Sequence, residues 1–414
     1  MRAYLSLLLL LSATACNCGQ VVVRSLAECE RDPTATGCQA ILLDAGWPPP
    51  VDAGHPKPPV DAGHTCDTGT VQGTICAPDL HTSVAGATVT VSGVCDGQSF
   101  TQTTTTNASG QFTITVPAGT WNLTATSGSF TQSFPITVTA GETTTNTMDQ
   151  QYCFSATITK LAVITGAGDQ IENLLTATGF TPTLIDGTTT GFAANALPFL
   201  LSPTQLAEYN VIFIDCGAGR TSITQADGGQ SYDEFYLGPD SATIATNLQN
   251  FVKNGGSVYA SDWAFIFIYL GWGTQFEWET SAGNTSPGSI SFPFDPYDLM
   301  GFKNQTVTAN VVDTGLAGYL GKNTVTISFP TTMNHWGLLS AVNSPATALI
   351  TGSVQACTTG SCSNGAGAST APLAALYRVT NGPGGAVAYT SFHNVNQAVP
   401  ADIETILKYI VFKL

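Results

Sequence analysis

The chain has 414 residues, enough for two or three domains, and 43% of them are hydrophobic, which excludes a disordered protein. Only 10% are charged, against about 25% in ordinary soluble domains, and Thr, Ser, Asn and Gly take their place, as suits exported β-rich surfaces. The formal charge is −16 and the basic residues are scattered, so no cluster exists to neutralise phosphates or anionic lipid heads, and nucleic acid is not an expected partner.

Arg2, the apolar run over residues 5–11 and the small residues Ser12, Ala13, Thr14 and Ala15 read as a signal peptide, 1–15. The run is shorter than the ~20 apolar residues a bilayer crossing needs. With Cys16 next in line, the segment resembles a lipobox, which implies lipidation of Cys16 as the mature N-terminus. Ala13 stands where that pattern usually carries Leu, and an ordinary secretory signal cleaved near Ala15 is the alternative. The resemblance implies an exported protein at the outer membrane or cell surface, facing the extracellular space or periplasm, with the N-terminal lipid as its membrane contact.

Residues 16–43 form a Cys-bearing leader. The stretch 44–65 repeats the heptad PPVDAGH, ending at His55 and His64. Pro fixes φ and removes a donor, so this is expected to be an extended, solvated linker rather than a metal trap. The total of 11 cysteines suits an oxidising compartment. Cys29 with Cys38 and Cys357 with Cys362 are near enough to close small loops. Cys76 with Cys95 is expected to link strands of one sandwich, and Cys66 with Cys153 to bracket it, though spacing leaves the connectivity open. No CxxC pair occurs, so zinc is the weaker use of these residues and no metal is expected.

Over 66–150, runs such as GATVTVSG, SFTQTTTT, GQFTITVP, TWNLTATSG and FPITVTA alternate apolar and polar positions, the period of half-buried strands. Gly73, the run from Gly86 to Val91, the turn Asn107-Ala108-Ser109-Gly110 before Phe112, and Pro117-Ala118-Gly119-Thr120-Trp121 together resemble the carboxypeptidase regulatory-like (transthyretin-like) family. Trp121 falls where that family often has Tyr. The resemblance implies an all-β Greek-key sandwich, of a type that also serves as a spacer or carbohydrate-binding module, and it brings no catalytic residues.

From Lys160 the pattern changes. KLAVITG, TPTLID, YNVIFIDCG and SVYASDWA read as buried strands, with helices expected at DQIENLLTATGF and SATIATNLQNFVKNGG. After an aromatic-rich insertion, the runs TVTANVVD, TVTISF, APLAALYRV and GGAVAYTSFHN read as strands, and ADIETILKYIVFKL as the closing helix. The alternation predicts an α/β domain over 152–414, flavodoxin-like with a mostly parallel sheet. Asp169 with Glu172 three residues on reads as a capping-box helix start. Gly166 and Gly168 lack the third glycine of a dinucleotide loop, so no nucleotide cofactor is expected.

In such a sheet, ligands sit outside the carboxyl ends of the strands. The polar residues expected there are Asp169, Asp215, Cys216, Ser261, Asp262, Ser391, His393 and Asn394. The GGSVYASDW approach to a strand–helix elbow and the GGAVAYTSFHN strand resemble the class I glutamine amidotransferase-like superfamily, in particular its ThuA-like members. Here Ser261-Asp262-Trp263 stands where the family has its nucleophilic cysteine, and His393-Asn394-Val395 replaces the His-x-Glu ending, which speaks against glutamine hydrolysis. Asp262 as nucleophile or base, His393 as proton carrier and Asp215 as orienting group form the candidate catalytic set. Their bland reading is helix capping and core structure. Trp263, Trp272, Trp278 and Trp336 are candidates to stack on sugar rings, against the alternative of a local core. The leading expectation is an exported lipoprotein that binds an extracellular or cell-envelope ligand, with glycan the foremost candidate, on a degenerate amidotransferase-like domain; the alternative is a hydrolase using Asp262 and His393, and a third class is a structural spacer.

Overall fold

The computed structural model describes residues 66–145, 152–223, 232–235, 240–278, 300–302, 304–329, 335–358, 361–365, 367–380, 384–392, 394 and 401–414. The signal segment, the leader, the linker and the candidate residues Cys16, Cys29, Cys38 and His393 lie outside them, as does the Cys362 side chain.

Short strands with a two-residue period open the described chain: β1 (Thr68–Cys76), β2 (Thr88–Cys95), β3 (Gln98–Thr105), β4 (Gln111–Pro117), β5 (Gly119–Ser127), β6 (Phe130–Val138), β7 (Thr143–Thr145) and β8 (Tyr152–Cys153). In β4, Phe112, Ile114 and Val116 are buried while Gln111, Thr113 and Thr115 face solvent, so every second residue enters the core. Two sheets result, β4-β1-β7 with β8 also on β1, and β3-β2-β5-β6. The turn ahead of β4 is built by Asn107, whose Oδ1 accepts from the backbone N–H groups of Ser109 (2.9 Å) and Gln111 (3.0 Å). Gly110 completes it at φ +71°, a conformation that side chains disfavour.

The disulfides of the sandwich exchange the expected partners. Cys76 pairs with Cys153 and Cys66 with Cys95. The reason is register: β8 runs parallel beside β1 and sets Cys153 directly opposite Cys76. Cys95 ends a strand of the other sheet, 6.0 Å in Cα–Cα distance from Cys66. One bridge therefore ties the two sheets together, and the other ties the outgoing chain to β1. Cys357 is also disulfide-bonded, with a partner whose side chain is not among those described.

A nine-stranded sheet follows, built from β9 (Leu161–Thr165), β10 (Thr183–Asp186), β11 (Val211–Ile214), β12 (Ser257–Ser261), β13 (Gln305–Val311), β14 (Thr324–Phe329), β15 (Thr347–Val354), β16 (Ser369–Arg378) and β17 (Ala386–Thr390). Its order is β10-β9-β11-β12-β17-β16-β15-β13-β14. The first four pairings are parallel and the other four antiparallel, so the sheet is mixed where a mostly parallel one was expected. The physical reason is the connections. The early strands are joined through helices, whereas β13 to β17 follow one another with one short helix among them, which lets neighbours run antiparallel.

The helices are α1 (Ile171–Ala177), α2 (Ala196–Leu200), α3 (Pro203–Leu206), α4 (Ser241–Lys253), α5 (Phe265–Trp272), α6 (Thr314–Leu320) and α7 (Ala401–Val411). Successive strand residues enter opposite cores. Leu161, Val163, Val211 and Phe213 join α1, α7 and the sandwich on one face, and Ala162, Ile164, Ile212 and Ile214 join α2 to α5 on the other. The sandwich reaches the sheet through Phe130, whose ring lies 5.2–6.0 Å from those of Phe154, Phe180 and Phe412. The Ser127 hydroxyl donates to the Phe412 carbonyl at 2.6 Å. All eight residues of α5 are buried, as a helix apolar on every side requires. Among the described residues no helix is long and apolar enough to cross a membrane.

Candidate functional site

The carboxyl ends of β9, β11 and β12 meet in a buried polar cluster. Close approach between the loops needs glycine: a Cβ on Gly166 would lie 2.1 Å from the Cys216 carbonyl oxygen, and one on Gly168 2.8 Å from the Cys216 sulfur. Ser261, the last residue of β12, links the loops. Its hydroxyl donates to Asp169 Oδ2 at 2.5 Å and accepts from the Cys216 N–H at 3.1 Å. Asp169 Oδ1 accepts from the N–H groups of Gln170 (2.7 Å) and Asn394 (2.8 Å), drawing in the segment after β17.

This geometry corrects the capping-box expectation. The N-cap of α1 is Gln170, with no side-chain cap bond, and Asp169 points instead into the cluster. The backbone amides and Ser261 compete for the carboxylate that the sequence pattern offers to the helix.

Asp262 stands at the elbow with φ +42°, an unusual left-handed conformation for a residue with a side chain. It begins a single 3-10 turn, Asp262–Ala264, that leads into α5. Its Oδ1 accepts from the Gly337 N–H at 2.7 Å, and its Oδ2 accepts from the Cys216 thiol at 3.4 Å. The Tyr389 hydroxyl lies 3.1 Å from the Asp262 carbonyl and 3.0 Å from that of Gly337, closing the elbow from β17.

Electrostatically the cluster is crowded with acids. Both oxygens of Asp215 are buried, and the nearby Ile171 N–H reaches them without full hydrogen-bond geometry. Burial, and then the nearby charges of Asp169 and Glu172, hold the Asp215 carboxyl well above the usual carboxylate range. Glu172 Oε2 is buried without a donor. A protonated Asp215 donating to Glu172 satisfies both groups, because a carboxyl donates where two carboxylates repel. Burial also lifts Asp169 to about 7, against the pull of its bonds from Ser261, Gln170 and Asn394. Cys216 is pushed well above its ordinary range by burial and by the adjacent Asp262, so its thiol stays protonated.

Of the sequence-selected residues, Asp169, Cys216, Ser261, Asp262 and Asn394 share one hydrogen-bonded network, with Asp215 beside it. Asp215 and Asp262 are both 0% exposed. Trp263, Trp272, Trp278 and Trp336 are between 0% and 7% exposed. Trp336 stacks on Phe329 at 3.9 Å, and Trp278 meets Tyr389 edge-on at 4.7 Å. Gly337 and Tyr389 belong to the network without having been singled out, and Glu172 reads in the sequence only as part of a helix start. Among the described residues, the acidic or sulfur groups that come within shared metal-ligating distance are Cys66, Cys95 and Asp96, and those two sulfurs are bonded to each other.

The described chain is thus a strand-rich protein in which a β-sandwich leads into a large mixed sheet. Residues 70–150, the sandwich, match the carboxypeptidase regulatory-like domain. No curated protein matches the chain. A solved structure titled "mmIFT52 N-terminal domain" is similar over 61% of this chain and 94% of its own, with 13% identity and a TM-score of 0.32.

Proposed function

We propose that this chain is an exported surface lipoprotein that binds an extracellular ligand, carbohydrate foremost, and that its amidotransferase-like sheet is a non-catalytic scaffold. The observation that carries the non-catalytic reading is the complete burial of Asp215 and Asp262. A general base must reach its proton directly or through one water. Asp262 instead spends its oxygens on the Gly337 N–H and the Cys216 thiol, bonds that tie the elbow. The protonated Cys216 thiol is no better placed as a nucleophile. The parallel order β10-β9-β11-β12-β17 supports a flavodoxin-like reading of the sheet, and the pairing of the two small sheets supports a Greek-key sandwich. Cys16 carries the anchor in this reading.

Two measurements test it. A Cys16→Ala variant is expected to move from the detergent to the aqueous phase on partitioning; unchanged partitioning removes the lipid anchor from the proposal. On a glycan array the full-length chain is expected to retain glycans without cleaving them. Hydrolysis that Asp262→Asn abolishes while the fold survives would establish the rival hydrolase reading instead.

A further inference from the structure

A second polar feature lies at the opposite end of the same strands. A cavity of about 260 Å³ opens at the amino ends of β9, β10 and β11, lined among others by Thr159, Lys160, Thr181, Thr183, Glu208 and Tyr209. We propose that this cavity binds a single neutral sugar ring, an inference that rests on the ligand-binding reading above and gives it a location.

The lining is preformed. The Lys160 N–H donates to Asn210 Oδ1 at 2.9 Å, and the Asn210 N–H donates back to the Lys160 carbonyl at 2.8 Å. That reciprocal pair holds the approach to β9 against the turn carrying Glu208 and Tyr209. Thr183 opens β10 and pairs in register with Ala162 of β9. The Tyr209 ring is steadied edge-on by Phe199 at 5.7 Å. A ligand therefore meets a fixed backbone frame and a fixed Tyr209 ring.

The chemistry selects the ligand. Thr159 is 4% exposed and its hydroxyl oxygen is sealed from solvent with no hydrogen-bond partner, so it belongs to the buried floor of the cavity and the exposed residues around it meet the ligand. The exposed Thr157, Thr181 and Thr183 give hydroxyls that both donate and accept, Glu208 accepts and Lys160 donates, the mixture that the hydroxyls of a sugar need. Lys160 and Glu208 make no ion pair among the described residues, and their opposite charges leave the cavity neutral overall, which disfavours a simple anion or cation. Tyr209 offers an aromatic wall to the apolar C–H groups of a ring. The volume lies just under the roughly 300–1,000 Å³ of drug-sized pockets, so it suits one ring rather than a chain of them.

The test is saturation-transfer NMR and calorimetry on the full-length chain with free hexopyranoses and N-acetylhexosamines, and with free amino acids as the comparison. Binding at about millimolar affinity is expected for at least one sugar. Thr183→Val and Glu208→Gln are each expected to weaken it about tenfold or more. Thr183→Val removes a hydroxyl while keeping its shape, and circular dichroism verifies the fold; Thr183 and Glu208 are both exposed, so neither variant disturbs a core. If sugars bind but neither variant changes the affinity, the cavity proposal fails while the glycan-binding reading stands. If only amino acids bind, the ligand class is wrong. If no sugar binds in solution and no glycan is retained on the array, both fall.

Discussion

In the folded chain Asp215 holds its proton at neutral pH and Asp169 holds its own below about 7, whereas the unfolded chain releases both, and this sets a direction for the pH dependence of stability. Asp169 rises from 3.8 to about 7 on folding. A carboxyl raised in this way stabilises fully below the unfolded value and loses that contribution as pH climbs through the folded one. Between pH 4 and pH 7 the loss amounts to about 4 kcal/mol at most. The denaturation midpoint is thus expected to fall across that window, and Asp169→Asn to flatten the slope. Asp215→Asn mimics the protonated acid, so its stability relative to the native chain is expected to improve steadily with pH; urea titrations at pH 4.5, 6 and 7.5 measure both. Cys216 gives a second readout at this scale. A protonated, buried thiol is expected to react with a disulfide reagent only after unfolding, and rapid labelling of the folded chain would contradict the environment described for it.

At the scale of elements, the strands were legible because period two is a local property of side chains. The segments read over 86–138 and 160–214 became β2 to β6 and β9 to β11 with shifts of a few residues at their ends. β1, β7 and β8 were not picked out, since Gly69 and Gly73 interrupt the pattern of β1 and the other two span only three and two residues. The disulfide pairing followed from those strands, because Cys153 meets Cys76 only once β8 lies on β1. Non-reducing peptide mapping is expected to recover Cys76–Cys153 and Cys66–Cys95. The Cys76–Cys153 bridge spans 77 residues of sequence, for which the chain-entropy account gives about 4–5 kcal/mol, so a Cys76→Ala, Cys153→Ala double variant is expected to lose stability on that scale.

For the whole molecule, the sandwich and the nine-stranded sheet share a core rather than merely a linker. Phe130 sits among Phe154, Phe180 and Phe412, and α7 delivers the chain end to that joint. Calorimetry is therefore expected to show residues 65–414 melting in one transition, because neither part buries its apolar face without the other. Phe412→Ala removes the ring that Phe130, Phe154 and Phe180 all contact and is expected to cost about 3–5 kcal/mol. Two separate melts in the unmodified chain would show that the joint is not cooperative.

The sequence by itself determined most of the strands, the helices α1, α4 and α7, the place of the sandwich and the gathering of Asp169, Cys216, Ser261 and Asp262 at one sheet edge. Each of these follows from local periodicity or from the rule that parallel strands end together. Tertiary structure alone decided whether that edge is open. The depth at which Asp262 lies depends on α5, which follows it directly, and on the Gly337 segment and Tyr389 of β17, which come from remote parts of the chain. It likewise decided what the tryptophans face, since a ring at a cleft and a ring in a core carry the same local pattern. The cavity beside Thr159 was silent in the sequence for the same reason. Its walls come from three segments spread over residues 156–209, and no single one of them contains a pattern that announces a pocket.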